Sequence, residues 1–371
     1  MPHDPYKALY MHIPFCVKRC GYCDFATAAV PRDDVRIDEY VEQLVLDIRK
    51  QAKAGELTAI DTVYIGGGTP THIGAARLSS LLYALSVSMD LTRDDLEFTV
   101  EANPESLDGR LVKDMWALGV NRISIGVQSF DDDVLRILGR AHDAARAKEA
   151  IREAKERFEN ISVDLMCGIP GQSAETFEAS VEEAVALGVK HVSVYPLAIE
   201  PHTMFDKLVL AGEMDEPDDD VEAEHMEIAE RVLAAHGFAR YEVASYALPG
   251  YESKHNSSYW TGIPYLGIGA SATTMTQNDE RRMRVMNGEV VDDLNRNQME
   301  AEDLMLGMRM ACGISDERLA KACNFIPEAR NSMESLVEEG FVERVENRWR
   351  PTRQGWLCGN ELYGRLLDIA P

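Results

Sequence analysis

The 371-residue sequence lacks long hydrophobic runs, an apolar N-terminal segment and any excess of positive charge. No apolar stretch approaches the roughly 20 residues that a membrane-spanning helix needs. Lysine and arginine number 38 against 63 aspartates and glutamates, a formal net charge of −25. Such a charge repels phosphate backbones and anionic membrane surfaces, so we expect no nucleic-acid partner.

Cysteine is also scarce, and its few copies are unevenly spaced. Three of the seven fall in one eight-residue window, Cys16-Val-Lys-Arg-Cys20-Gly-Tyr-Cys23. The other four stand alone: Cys167, Cys312, Cys323 and Cys358. An odd number of clustered cysteines and the absence of a secretory signal argue against disulfides. We therefore expect reduced cysteines and a cytoplasmic protein.

The cysteine window itself predicts a metal centre, because thiolates packed this tightly repel one another unless a cation neutralises them. Structural zinc normally takes four ligands, often as two cysteine pairs, and no second pair exists here. His12 could supply the fourth ligand, so zinc stays open at this point. An iron–sulfur cluster held by three thiolates would instead leave one iron open to a small molecule.

The first two-thirds of the chain alternates strand-like and helical patterns, which predicts an α/β fold. The predicted strands cover residues 9–13, 62–65, 97–100, 122–127, 162–166 and 191–196. The predicted helices between them cover 37–50, 76–88, 107–118, 144–157 and 175–187. Six successive βα units indicate a parallel sheet curled into a full or partial barrel, with its chemistry at the carboxyl ends of the strands.

The pattern changes after residue 196. We expect a helix at 219–235, a strand at 240–246 and a glycine-rich run at 266–272. A helical tail follows at 298–310, 315–323 and 327–339, then a hairpin at 341–351 and a last helix, an order typical of a winged-helix domain. Its third helix is acidic, so we expect this domain to pack within the protein or to dock another protein rather than to bind duplex DNA. The predicted domains are 1–236, 237–295 and 296–371.

The second to fifth predicted strands each end in a polar or glycine-rich motif. Gly66-Gly67-Gly68-Thr69-Pro70 would let a ligand approach the backbone closely. Glu101 follows the third strand, Gln128 and then Arg140 the fourth, and Asp164 lies in the fifth. Singly these are typical of turns, helix caps and solvated surfaces. Their order after a three-cysteine loop indicates one shared ligand site.

The sequence resembles the radical S-adenosylmethionine (radical SAM) superfamily, and within it the oxygen-independent coproporphyrinogen III oxidase-like family. The resemblance spans residues 8–367 and is carried by Cys-x3-Cys-x2-Cys after YMHIPF, and by GGGTP, EANP, GVQSF and LGRAH. It implies a partial (βα)6 barrel and a 4Fe–4S cluster on Cys16, Cys20 and Cys23. The S-adenosylmethionine contacts that it implies are Tyr10, Tyr22, Gly67, Gly68, Thr69, Glu101, Gln128, Arg140 and Asp164, with Ala198 and Thr273 matched more loosely.

The chain departs from the family's pattern at three points, and two of them bear on which branch of the family is present. The oxidase motif has a fourth cysteine two residues after the third, where this chain has Phe25. The oxidase N-terminal extension is missing, since only fifteen residues precede Cys16. Cys167 replaces a bulkier residue, and we expect it to be a buried apolar side chain without a ligand role. The first two departures favour the heme-chaperone branch.

The segment Lys254-His-Asn-Ser-Ser-Tyr-Trp260 matches a heme-associated HNxxYW signature of that branch. His255 offers an imidazole to heme iron, while Tyr259 and Trp260 offer flat apolar faces beside Asn256. The alternative is a core segment with a hydrogen-bonded histidine.

The resemblance thus implies a heme chaperone that passes heme to apo-hemoproteins, such as respiratory ones, and that could be a homodimer. Radical enzymes that decarboxylate or degrade a tetrapyrrole remain alternatives, and a transfer-RNA-modifying radical enzyme is disfavoured by the acidic charge.

Overall fold

The computed structural model describes residues 3–370, and its central feature is one twelve-stranded sheet. The strands up to residue 196 are β1 (Ala8–Ile13), β2 (Phe15–Cys16), β3 (Ala28–Ala29), β4 (Thr62–Gly67), β5 (Glu97–Ala102), β6 (Arg122–Gln128), β7 (Asn160–Cys167) and β8 (His191–Pro196). β1 and β4 to β8 lie side by side in chain order and run parallel. The predicted α/β fold with a partial barrel is confirmed.

Helices cover the outer face of these six strands. They are α1 (Val35–Ala54), α2 (Ala75–Ser86), α3 (Gly109–Ala117), α4 (Asp132–Leu138), α5 (Ala144–Lys155) and α6 (Ala174–Ala186), with 3-10 turns at Pro70–Ile73 and Pro104–Ser106. At the start of every one of these helices except α2, an aspartate or serine side chain accepts from a free backbone N–H group. Asp131, for example, accepts from the N–H groups of Asp133 and Val134.

The parallel strands alternate apolar side chains facing the helices with polar side chains facing the barrel interior. In β6, Ile123, Ile125 and Val127 are fully buried in the main core, whereas Arg122 and Ser124 line a central cavity. Interiors of closed parallel barrels are usually filled by branched apolar side chains. A polar interior instead indicates a space for a polar ligand.

Residues 197–295 extend this sheet at both edges. The helices are α7 (Met204–Leu210), α8 (Asp219–Ala235) and α9 (Lys254–Trp260), and the strands are β9 (Ala239–Arg240), β10 (Ser245–Ala247), β11 (Tyr265–Ile268), β12 (Thr273–Gln277), β13 (Arg281–Met286) and β14 (Glu289–Asn295). β11 pairs with β1, β10 pairs with β8, and β14 and β9 form opposite edges. The prediction of a single strand at 240–246 is wrong. The chain reverses direction within this range, because β9 and β10 pair as an antiparallel hairpin. Three antiparallel strands, β12 to β14, were not predicted.

The last part of the chain has its own hydrophobic core. Its elements are α10 (Arg296–Gly307), β15 (Ile314–Ser315), α11 (Asp316–Cys323), α12 (Ala329–Glu338), β16 (Val342–Val345), β17 (Arg348–Pro351), α13 (Arg353–Leu357) and α14 (Gly359–Leu367). Three helices followed by the β16–β17 hairpin give the expected winged-helix order. The three domain boundaries stay a prediction, and residues 1, 2 and 371 lie outside the described residues. Between residues 3 and 370, no helix is both long and apolar enough to cross a bilayer.

Candidate functional site

The three clustered cysteines lie in the loop that follows β1, at the carboxyl end of the barrel. Parallel pairing of β2 with β3 closes the base of this loop. Cys16 is buried, Cys20 and Cys23 are half-buried, and all three line the central cavity, which has a volume of about 350 Å³. None of the three forms a disulfide. The structure therefore brings the predicted metal ligands to one cavity wall.

The three thiols do not converge on a single point. In the described part of the chain, no three His, Cys, Asp or Glu side chains are placed to hold one metal ion together. His12 is not available either, because its Nδ1 lies 3.0 Å from the Tyr10 hydroxyl and its Nε2 lies 3.1 Å from the Ala26 carbonyl oxygen. Thiols spread around a cavity fit a cluster in which each thiolate binds a different iron better than they fit one zinc ion.

The surroundings of the thiols supply hydrogen bonds and positive charge. The Thr69 hydroxyl donates to Cys16 Sγ (3.4 Å), and Arg140 Nη1 donates to Cys20 Sγ (3.4 Å). Burial nevertheless raises the pKa of Cys16 to about 11. Its thiol therefore stays protonated at neutral pH until a cation displaces the proton, as metal binding does.

Arg140 is held in place by several acceptors at once. Its Nη2 donates to Asn103 Oδ1 (2.8 Å) and to the Gly126 carbonyl (2.7 Å), and its Nη1 also lies 3.4 Å from the Tyr22 hydroxyl. The guanidinium thus connects the cysteine loop to the end of β6. A planar cation fixed in this way suits a carboxylate ligand.

The glycines after β4 are required by close contacts. A Cβ on Gly66 would lie 2.7 Å from the Glu101 carboxyl carbon, and one on Gly67 would lie 2.4 Å from the His12 ring. Gly67 also has a backbone φ of +110°, a value that residues with a side chain rarely adopt. Gly67 and Gly68 line the cavity, so a ligand can approach their backbone.

Two carboxyls stand inside the barrel. Glu101 accepts from the Tyr64 hydroxyl (2.7 Å) and from the Gly67 N–H (3.0 Å), and Ser124 donates weakly to Asp164 (3.4 Å). Burial raises the pKa of Glu101 to about 7 and that of Asp164 to about 6. Such groups can accept hydrogen bonds from a ligand's hydroxyl or ammonium group, and their ionisation responds to its presence.

These raised pKa values predict a pH-dependent stability. Each carboxyl stabilises the fold while protonated, and that contribution is lost as the pH rises from the unfolded-state pKa through the folded-state value. For Glu101, whose pKa shifts from 4.5 to about 7, the loss between about pH 5 and pH 8 is about 2 to 3 kcal/mol. We expect Glu101→Gln to lack this loss in urea denaturation of the ligand-free protein. Parallel pH curves for the variant and the wild type would contradict the assignment.

Most predicted S-adenosylmethionine contacts share the cavity wall, and some do not. The predicted residues that line it are Tyr22, Gly67, Gly68, Glu101, Gln128, Arg140, Asp164 and Ala198. Thr69 lies behind the wall, where it contacts Cys16. Tyr10 and Thr273 are also absent from the wall as described. Gln128 has a φ of +67° and lies where the β6–β7 register shifts. Its backbone therefore departs from regular strand geometry at this point.

The HNxxYW segment lies at the opposite end of the barrel from the cysteines. It forms α9, whose first backbone N–H groups donate to Glu97 at the start of β5 (both 2.9 Å). Asn256 reaches up to the cavity and forms part of its floor. The helix therefore closes the barrel from below.

His255 is a core histidine in this structure. It is 1% exposed, with Nδ1 2.9 Å from the Thr62 hydroxyl and Nε2 3.0 Å from the Tyr259 hydroxyl. Its ring stacks on Tyr64, and burial lowers its pKa to about 3. Trp260 is also engaged, since its Nε1 donates to Glu242 (3.0 Å). In this conformation no nitrogen of His255 is free for heme iron. Tyr259 and Trp260 are half-buried, and the Arg309 guanidinium lies over the Trp260 ring.

This placement predicts a structural cost for changing His255. We expect His255→Ala to lower the free energy of unfolding by about 2 to 4 kcal/mol, because it empties a packed site and leaves Thr62 without its partner. Tyr259→Phe removes one hydrogen bond only and should cost about 1 kcal/mol. Urea denaturation of the heme-free proteins measures both, and a His255→Ala variant as stable as wild type would contradict this role.

Several cavity residues were missed in the sequence. They are Tyr64, Asn103, Arg122, Ser124, Ser193 and Tyr195. The four on β6 and β8 (Arg122, Ser124, Ser193 and Tyr195) could have been found, because polar residues alternate with Ile and Val in these strands, a pattern that assigns one strand face to the interior. Cys167, by contrast, is buried as expected, with its sulfur 3.8 Å from that of Met226.

Comparison with known proteins agrees with this geometry. The model of the radical SAM superfamily matches residues 10–184, so the fold and the cysteine loop define a radical SAM protein. The solved structure of coproporphyrinogen III oxidase (HemN) from Escherichia coli, described as a radical SAM enzyme, superposes with a TM-score of 0.79. That alignment covers 98% of this chain and 90% of that chain at 21% identity, which shows a shared fold alone.

Sequence similarity to well-described proteins identifies the family within this superfamily. The heme chaperone HemW of Bacillus subtilis is 36% identical over 97% of this chain and 99% of its own length. HemW of Escherichia coli is 32% identical, with 96% of this chain and 97% of that protein covered. The chain belongs to the HemW family of radical SAM proteins.

Proposed function

We propose that this protein is a heme chaperone that binds heme and delivers it to apo-hemoproteins. The observation that carries the proposal is its near full-length similarity to proteins named heme chaperone HemW. Phe25 supports it, since the fourth cysteine of the oxidase motif is missing there and an exposed aromatic ring lies at the cavity wall instead. The acceptors are proposed to be apo-hemoproteins, among them membrane-associated respiratory ones, and a homodimer stays a prediction.

The radical SAM family implies a 4Fe–4S cluster and S-adenosylmethionine, and we assign both to the central cavity. Cys16, Cys20 and Cys23 would each hold one iron, leaving the fourth iron for the amino and carboxylate groups of S-adenosylmethionine. The donor set fits, because three free thiols share a cavity with Arg140 as a nearby cation. When bound, the cluster supplies the electron for reductive cleavage of the sulfonium.

The chain's own residues would fix S-adenosylmethionine by position and charge. Gly67 and Gly68 allow its close approach to the backbone of β4. Glu101 and Asp164 offer acceptors for hydroxyl or ammonium groups, and Arg140 and Gln128 offer donors for a carboxylate. The cavity volume of about 350 Å³ is at the lower end of ordinary ligand sites, so beside the cluster it suits one small molecule.

The heme role predicted for His255, Asn256, Tyr259 and Trp260 stays a prediction. Because both His255 nitrogens are hydrogen-bonded within the core, ligation there would require α9 to leave the barrel floor.

An anaerobic reconstitution tests this proposal against the oxidase alternative. The protein would be loaded with iron and sulfide, titrated with hemin by absorbance, and separately incubated with coproporphyrinogen III, S-adenosylmethionine and a reductant. We expect saturable hemin binding and neither protoporphyrinogen nor substrate-dependent 5′-deoxyadenosine. Porphyrinogen turnover without hemin binding would overturn the chaperone proposal.

A further inference from the structure

The mouth of the central cavity exposes large apolar side chains. Phe25 is 60% exposed and Tyr195 is 41% exposed, and both line the cavity. Met204, 57% exposed, begins α7, whose Phe205 N–H donates to the Gly21 carbonyl of the cysteine loop (2.9 Å). Exposed aromatic groups clustered at a concave site, unlike scattered ones, mark a binding surface.

Two cations border the same mouth in a strongly acidic chain. Lys18 and Arg19 are exposed and line the cavity. Arg19 donates only to backbone carbonyls, those of Cys23 (3.2 Å) and Phe25 (3.5 Å). Asp24 and Glu200 also border the mouth, but in the structure of residues 3–370 neither pairs with Lys18 or Arg19 in a salt bridge. Both positive charges are therefore available to an anionic ligand.

The lumen below the mouth cannot hold a large flat ligand as well as S-adenosylmethionine. The whole cavity, its mouth included, has a volume of about 350 Å³, and the residues assigned to the cofactor occupy the wall below the mouth. The imidazole of His255 lies beneath the lumen, enclosed by β4 and α9. A second, larger ligand therefore has to contact the protein from outside, across the cysteine loop.

We propose that the cargo heme docks on the mouth surface formed by Lys18, Arg19, Phe25 and Tyr195, next to the start of α7, and this rests on the proposed function. Heme combines a flat apolar ring with two propionate carboxylates. The aromatic side chains match the ring, and the two cations match the carboxylates. Phe25 then has a role of its own in the chaperone, at the position where the oxidase motif has cysteine.

Hemin titrations with paired variants test this site. Phe25→Ser removes an aromatic face, and Lys18→Glu with Arg19→Glu reverses the two charges. The matched controls are Tyr83→Ser, an equally exposed tyrosine on α2, and Arg49→Glu with Lys50→Glu, two exposed cations on α1. We expect about a tenfold or greater rise in the hemin dissociation constant for the mouth variants and no change for the controls.

Two further measurements distinguish a failure of the docking site from a failure of the proposed function. Hemin dimethyl ester, whose carboxylates are blocked, should bind wild type more weakly than hemin, and the charge-reversed variant should no longer distinguish the two. Because Phe25 adjoins the cluster loop, each titration is repeated on cluster-free protein. If wild type binds no hemin, the proposed function fails. If wild type binds hemin and the mouth variants bind it equally well, in both forms, only the docking site is overturned.

Discussion

Replacing Cys16, Cys20 or Cys23 singly by alanine is expected to abolish the 4Fe–4S cluster. Each thiol is proposed to hold a different iron, and the loop offers no fourth cysteine to replace a lost one, since position 25 is Phe. The nearby His12 cannot substitute because both of its nitrogens are hydrogen-bonded. We expect iron and acid-labile sulfide after anaerobic reconstitution to fall below about a tenth of wild type, with no EPR signal on reduction.

The chain offers a matched control in Cys167. This thiol is buried in the main core beside Met226 and does not line the cavity of the three loop cysteines, so Cys167→Ala removes a cysteine without removing a proposed ligand. Its iron content should equal that of wild type, at a stability cost of about 1 kcal/mol. A full cluster in any of the three loop variants would contradict the ligand assignment.

Replacing Arg140 by leucine is expected to have the second large effect, on S-adenosylmethionine binding. The guanidinium donates to a thiol, an amide oxygen and a backbone carbonyl, so its loss removes a cation and leaves three acceptors unpaired. Loss of a buried, paired charge typically costs about 3 to 5 kcal/mol. Applied to ligand binding, the lower value corresponds to about a hundredfold weaker affinity.

Arg140→Lys and Arg136→Leu are the controls for this effect. Lysine keeps the charge but not the planar fork, so we expect an intermediate affinity. Arg136 is an exposed arginine on α4, four residues earlier in the sequence, and its replacement should leave binding unchanged. Equilibrium dialysis of the reconstituted proteins measures all three, and wild-type affinity in Arg140→Leu would contradict the assignment.

The cysteine loop and the strand ends could be predicted because their signals are local. Three thiols within eight residues indicate a metal centre whatever the fold. Parallel strands must also bring their carboxyl ends to one edge. Glu101, Arg140 and Asp164 therefore share one cavity although they lie far apart in the sequence.

The position of the HNxxYW segment could not be predicted, because it depends on long-range contacts. The partners of His255 are Thr62 on β4 and Tyr259 within the helix, while Glu97 on β5 anchors the helix start. A motif alone does not reveal whether its histidine faces a ligand or a core. The strands β12 to β14 were missed because they are only partly buried and show little hydrophobic alternation. β12 is mostly polar, and β13 and β14 carry many charges, such as Arg281 and Asp293.

Heme transfer measures the central claim most directly. The reconstituted protein would be loaded with hemin and mixed with an excess of an apo-b-type cytochrome, and the spectrum of the holo-cytochrome would be followed in time. We expect complete transfer at a rate that rises with acceptor concentration, as direct handover between two proteins requires. A rate that is independent of the acceptor and equal to spontaneous hemin release, or heme that stays on the protein, would contradict a chaperone function.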